Sequence, residues 1–82
     1  MDSEAVRISD LIIEAGALVD WLETGRGDIE IVGAALIYLR DELAILAEHT
    51  GDPEACGAAC DMAATIDETL ANPPALRQHR AA

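Results

Sequence analysis

The fold is decided by residues 25–54, which read GRGDIEIVGAALIYLRDELAILAEHTGDPE. Gly25 favours a helix exit, because glycine readily adopts the left-handed backbone that ends many helices. Asp28 follows as a candidate N-cap for the apolar run after it. At the other end, Gly51 precedes Asp52-Pro53, an acid in the capping position and a proline at the first helical position. The segment therefore predicts one central helix between two short turns.

Apolar residues recur at helical spacing on both sides of this segment as well. We predict helices over about 3–24, 28–50 and 53–72, with Ser3 as a candidate cap for the first and Asn72-Pro73-Pro74 ending the third. Their core stripes are Ile8, Leu11, Ile12, Ala15, Leu18, Val19 and Leu22; Ile29, Val32, Ala35, Leu36, Leu39, Leu43 and Leu46; and Ala59, Met62, Ala63, Ile66 and Leu70. Since short loops make consecutive helices antiparallel neighbours, the sequence predicts an all-α fold. The predicted fold is a compact antiparallel three-helix bundle that forms one domain over residues 1–74. A short flexible tail is predicted over residues 75–82.

The second helix carries a further apolar stripe, Ile31, Tyr38 and Ile45, beside its core stripe. Together the two stripes make roughly half of the helix circumference apolar, which is typical of a helix that contacts two neighbours. We expect Tyr38 to border the core with its hydroxyl in solvent. The β-branched run from Ile29 to Val32 is also compatible with a strand, but the sequence offers it no partner strand.

The composition excludes several classes of function. The chain has 82 residues, 16 Asp and Glu, five basic residues that are all Arg, and a formal net charge of −11. That charge argues against direct binding to nucleic acid or to an anionic membrane, because both depend on a positive footprint. No stretch approaches the roughly 20 apolar residues of a membrane span, and the acidic start is unlike a signal peptide. Two cysteines are too few for a disulfide scaffold. We therefore expect a cytoplasmic protein.

The residues that could carry chemistry are few. Cys56 and Cys60 point to one side of the third helix, but a zinc site of this kind needs another Cys or His pair, and the chain has only His49 and His79. No serine lies near a histidine to support a hydrolase triad, and no phosphate-binding or calcium loop is present. We expect reduced thiols and a structural or exposed His49. We predict no catalytic residue, no metal, no cofactor and no enzyme activity.

The acids follow lines along the predicted helices, on the sides away from the core stripes. Residues seven apart on a helix lie about 10 Å apart along the axis, so each line is a row of carboxylates. The third helix carries Glu54, Asp61 and Glu68, the second Glu30, Asp41 and Glu48, and the first Asp10 and Glu14. Five Arg are too few to neutralise them, although Arg40 can pair with a flanking acid. We expect folding to gather these acids into one continuous anionic surface.

Trp21 falls near Asp10 and Glu14 by helical angle, away from the core stripe of the first helix. Ile13 and Val6 also fall on the outer side. An exposed apolar patch bordered by acids is typical of a protein-binding surface. The alternative is that the third helix or a loop covers Trp21.

Small size, an all-helical pattern, strong negative charge and the absence of catalytic residues make the chain similar to the small acidic anti-CRISPR proteins, in particular the helical ones that act on type I complexes. The residues that carry the resemblance are the eight acids named above. It is a likeness of general character over the whole chain and involves no sequence motif. The resemblance implies a phage-encoded DNA mimic, in the host cytoplasm, that occupies the basic channel of a CRISPR surveillance subunit and blocks target DNA. That family varies widely in sequence, so no residue role is carried over.

The leading hypothesis is therefore a non-enzymatic inhibitor that binds a basic site on a nucleic-acid-binding protein. The proposed contacts are the eight acids together with Trp21, since Arg and Lys bind carboxylates and phosphates alike. A second hypothesis is an antitoxin or immunity-type module that neutralises a basic protein through the same face. A third is a homodimeric adaptor joined through Ile13, Trp21 or the Ile31, Tyr38 and Ile45 stripe.

Overall fold

Three helices form the architecture of the computed structural model, which describes residues 3–72. They are α1 (Ser3–Glu23), α2 (Ile29–His49) and α3 (Pro53–Ala71), and each packs against the other two. The predicted three-helix bundle is confirmed, and each predicted helix end lies within one residue of the observed one. The predicted flexible tail and residues 1, 2, 73 and 74 of the predicted domain lie outside the described residues.

Both turns are built by the residues that the sequence singles out. Gly25 has a φ of 73°, and its N–H donates to the Leu22 carbonyl at 3.1 Å while the Arg26 N–H donates to the Trp21 carbonyl at 2.9 Å. These two bonds make the Schellman arrangement that satisfies the last carbonyls of α1. The side chain of Asp28 accepts a hydrogen bond from the Glu30 N–H at 2.9 Å, which caps α2.

The same device starts α3. The side chain of Asp52 accepts a hydrogen bond from the Glu54 N–H at 3.0 Å, and Pro53 occupies the first turn, where its missing N–H costs nothing. Glu54 in that turn also lies at the positive end of the helix dipole. The start of each of these two helices is therefore fixed by local chemistry.

The core lies along the axis where the three helices meet. Its buried apolar residues are Ile8, Leu11, Ala15, Leu22, Val32, Leu36, Leu39, Leu43, Ala59 and Ile66. All of them belong to the predicted stripes. Thr69 is also buried and was not among the predicted core residues. Its burial is tolerated because its hydroxyl donates to the Thr65 carbonyl of the same helix at 2.9 Å.

α2 contacts two neighbours, as predicted, but neither of them covers its second stripe. Ile31, Tyr38 and Ile45 are 71%, 59% and 54% exposed, and Ile29, predicted in the core stripe, is 39% exposed. The physical reason is that α1 and α3 also contact each other. Both neighbours therefore meet α2 on one side, along Val32 to Leu43, and neither reaches its outer side.

None of the helices formed by residues 3–72 is long and apolar enough to cross a membrane.

Candidate interaction surfaces

All nine residues predicted to contact a partner lie on the surface. They are Asp10, Glu14 and Trp21 on α1, Glu30, Asp41 and Glu48 on α2, and Glu54, Asp61 and Glu68 on α3. Small neighbours such as Ala34, Gly57 and Ala64 are exposed with them, so the carboxylates project beyond the local surface.

The sequence-based prediction was that the three acidic lines form one continuous surface. In the structure they do not. Each line lies on the exposed surface of its own helix, away from the buried stripe. Because every helix packs against both others, the outward sides of the three helices point in three different directions. The structure therefore distributes the acids around the bundle. Like charges so arranged repel one another, and salt or a cationic partner relieves that repulsion.

Arg40 neutralises part of the α2 line. Its Nη2 lies 3.2 Å from the Asp41 Oδ1, which confirms the predicted pairing with a flanking acid. Its Nη1 lies 2.7 Å from the Asp67 Oδ1 on α3, and hydrogen bonding to Asp67 is the first cause of the raised pKa of Arg40, followed by that to Asp41. The Asp67 contact was missed because it joins residues 27 apart in sequence, beyond the reach of a pattern along one helix.

The two cysteines line a groove of about 480 Å³ between α2 and α3, whose walls are mostly alanine and whose rim carries Glu48 and Asp67. Both cysteines are free, Cys56 half-buried and Cys60 exposed. Desolvation against the groove raises the pKa of the Cys60 thiol, and neighbouring Cys56 raises it further. A raised pKa leaves less of the nucleophilic thiolate at neutral pH. Within residues 3–72, no group of three His, Cys, Asp or Glu is placed to hold a metal ion.

Trp21 is 49% exposed, so α3 and the α1–α2 turn leave half of it open. It lines a shallow depression of about 350 Å³ together with Leu18, Asp20 and Arg26. On the same helix Ile13 is 70% exposed and Val6 is 46% exposed. The three apolar residues expected on the outer side of α1 are therefore exposed.

A second row of exposed apolar residues lies on α2. It consists of Ile31, Tyr38 and Ile45, and we call it the α2 stripe. The Tyr38 hydroxyl donates to the Glu42 Oε1 at 3.4 Å. Glu42 therefore borders the α2 stripe on one side. By helical angle, the other side is bordered by the acidic line of Glu30, Asp41 and Glu48. The α2 stripe thus combines apolar side chains with flanking carboxylates on a single helix.

The chain matches no protein-family model, no curated protein and no solved structure.

Proposed function

We propose that this protein is a non-enzymatic acidic inhibitor that acts as a DNA mimic on a basic nucleic-acid-binding site. The observation that supports the proposal is the exposure of all eight acids in the three lines, with few cations to pair them. Guanidinium and ammonium groups that bind phosphates bind carboxylates by the same charge-assisted hydrogen bonds. A type I CRISPR effector subunit, whose target DNA the protein would exclude, is the candidate target.

The distribution of the acids refines which kind of site the protein fits. A flat basic surface would meet one acidic line and leave the other two in solvent. A channel that encloses nucleic acid meets charge from several directions, and this bundle presents carboxylates from all three helices. The proposed target is therefore an enclosing basic channel.

The experiment is competition between this protein and a labelled target duplex for purified type I effector complex. We expect displacement of the duplex at about 50 mM salt and much weaker displacement at about 200 mM, because charge-driven binding of this kind is strongly salt-dependent. No displacement at the lower salt concentration would reject the proposal.

Three matched double variants test the enclosing channel, each with one Asp→Asn and one Glu→Gln change on one helix. They are Asp10→Asn/Glu14→Gln on α1, Asp41→Asn/Glu48→Gln on α2 and Asp61→Asn/Glu68→Gln on α3. We expect all three to weaken displacement to a similar degree, since each line meets the channel wall. Loss confined to one of the three variants would instead indicate docking through one side.

A further inference from the structure

We propose that the α2 stripe is a docking site for a cationic amphipathic helix of a partner protein. This inference stands apart from DNA mimicry, because the partner helix need not bind nucleic acid. It rests on the spacing of the exposed apolar residues, on the charges beside them and on the shortage of cations in α2, where Arg40 pairs with one of those acids, Asp41.

The spacing of the α2 stripe matches a helical partner. Ile31, Tyr38 and Ile45 lie seven residues apart, and they are 71%, 59% and 54% exposed. They span about 21 Å of helix at 1.5 Å per residue. A seven-residue repeat keeps a seam of side chains facing a second helix that packs nearly parallel or antiparallel to the first.

The surface between Ile31 and Tyr38 has room for a side chain of the partner. Ala34 is exposed and lies three residues after Ile31 and four before Tyr38. On a helix such positions are neighbours, so the small alanine leaves a hollow between two large side chains. Packing between helices places a side chain of one helix into a hollow of this kind on the other. The Tyr38 ring is held at one edge by its hydrogen bond to Glu42.

The charges beside the α2 stripe indicate which kind of partner helix it binds. The α2 stripe is flanked by Glu30, Asp41 and Glu48 on one side and by Glu42 on the other. Asp41 is paired with Arg40, so a partner with Lys or Arg beside its apolar seam gains complementary contacts with Glu30, Glu42 and Glu48. A second copy of this chain would bring the same acids against one another. Arg40 is the only Arg or Lys in α2, and it is already paired with Asp41 and Asp67. The observations therefore favour a cationic helix over self-association.

The test uses the full chain and a synthetic peptide as long as α2, which has 21 residues. The peptide carries Leu at the seam positions of each heptad and Lys at the flanking positions. Two control peptides replace either every Lys with Glu or every Leu with Ser. We expect the Leu/Lys peptide to bind at about 150 mM salt in a fluorescence anisotropy titration, and both controls to bind at least about tenfold more weakly, a difference of about 1.4 kcal/mol.

Protein variants assign the binding to the α2 stripe. Ile31→Gln/Tyr38→Gln/Ile45→Gln should weaken binding of the Leu/Lys peptide by about tenfold or more. Ile13→Gln on α1 is the matched control, because Ile13 is 70% exposed and Ile31 is 71% exposed. It should leave binding unchanged. Thermal melts of all variants verify that the bundle stays folded, as expected for changes at exposed positions.

Several results would overturn the proposal. Equal affinity for the triple variant and the unmodified protein would place the peptide elsewhere. Equal affinity for the Leu/Lys peptide and for the control peptide with Ser in place of every Leu would show attraction by charge alone. A doubled mass in light scattering that the triple variant abolishes would assign the α2 stripe to a second copy of the chain.

Discussion

Gly27 is the residue at which the α1–α2 turn comes closest to the core. A Cβ added there would lie 2.7 Å from the Val32 Cγ2 and 3.7 Å from the Leu22 Cδ2. Val32 is buried and β-branched, so its side chain has little freedom to move aside. We expect Gly27→Ala to lower the free energy of unfolding by about 1–3 kcal/mol, the usual range for overpacking. Urea denaturation measures the change.

Gly16 provides the control for this prediction, because it lies inside α1 and an added Cβ would meet nothing within 4 Å. Gly16→Ala should raise the free energy of unfolding by about 0.5–1 kcal/mol, since alanine has the higher helix propensity and restricts the unfolded chain more. Two alanine variants with the same sign and size of effect would contradict the proposed close approach at Gly27.

At the scale of the helix, the start of α2 depends on one side chain. The Asp28 carboxylate accepts from the Glu30 N–H, so Asp28→Ala leaves a donor in the first turn without its partner. We expect this variant to lose about 1 kcal/mol of stability and Asp28→Asn to lose little, because asparagine caps helices as well as aspartate does. Thermal melts followed by circular dichroism compare the two. A loss of equal size in both variants would mean that the charge of Asp28, and not its capping bond, supports the helix.

The bounds of the helices were predictable because their signals are local. Asp28 and Asp52-Pro53 start α2 and α3, and Gly25 ends α1 by chemistry that involves only a few neighbouring residues. The buried stripes were predictable for a similar reason, since helical spacing sorts apolar residues onto one side.

The surfaces of α2 were harder to predict, because periodicity shows that a side of a helix is apolar without showing what covers it. The α2 stripe has the spacing of a core stripe, yet its exposure depends on where α1 and α3 lie. The pairing of Arg40 with Asp67 likewise depends on the packing of α2 against α3. The eight acids of the candidate site were correctly placed on the surface, but their distribution over three directions follows from the arrangement of the helices.

At the scale of the whole molecule, the net charge of −11 is the dominant feature. Repulsion among the exposed acids destabilises the folded chain, and salt screens it. We expect the Tm to rise by about 4–8 °C between about 0.01 M and 1 M salt, as relief of about 1 kcal/mol would produce in a domain of this size. Differential scanning calorimetry at several salt concentrations measures the rise.

The control for the salt experiment is the Asp10→Asn/Glu14→Gln variant, which carries two fewer negative charges on α1. Its Tm should start higher at low salt and rise less. A Tm that stays constant or falls with added salt would show that the acids are not under repulsive strain.

The two connections between helices are short, residues 24–28 and 50–52. Each helix therefore finds a packing partner next along the chain, and little loop-closure entropy opposes its docking. Helical bundles with such local contacts fold within microseconds to milliseconds. A ribosome adds about 5–20 residues per second, so the emerging polypeptide would complete its bundle in less time than the addition of one more amino acid takes.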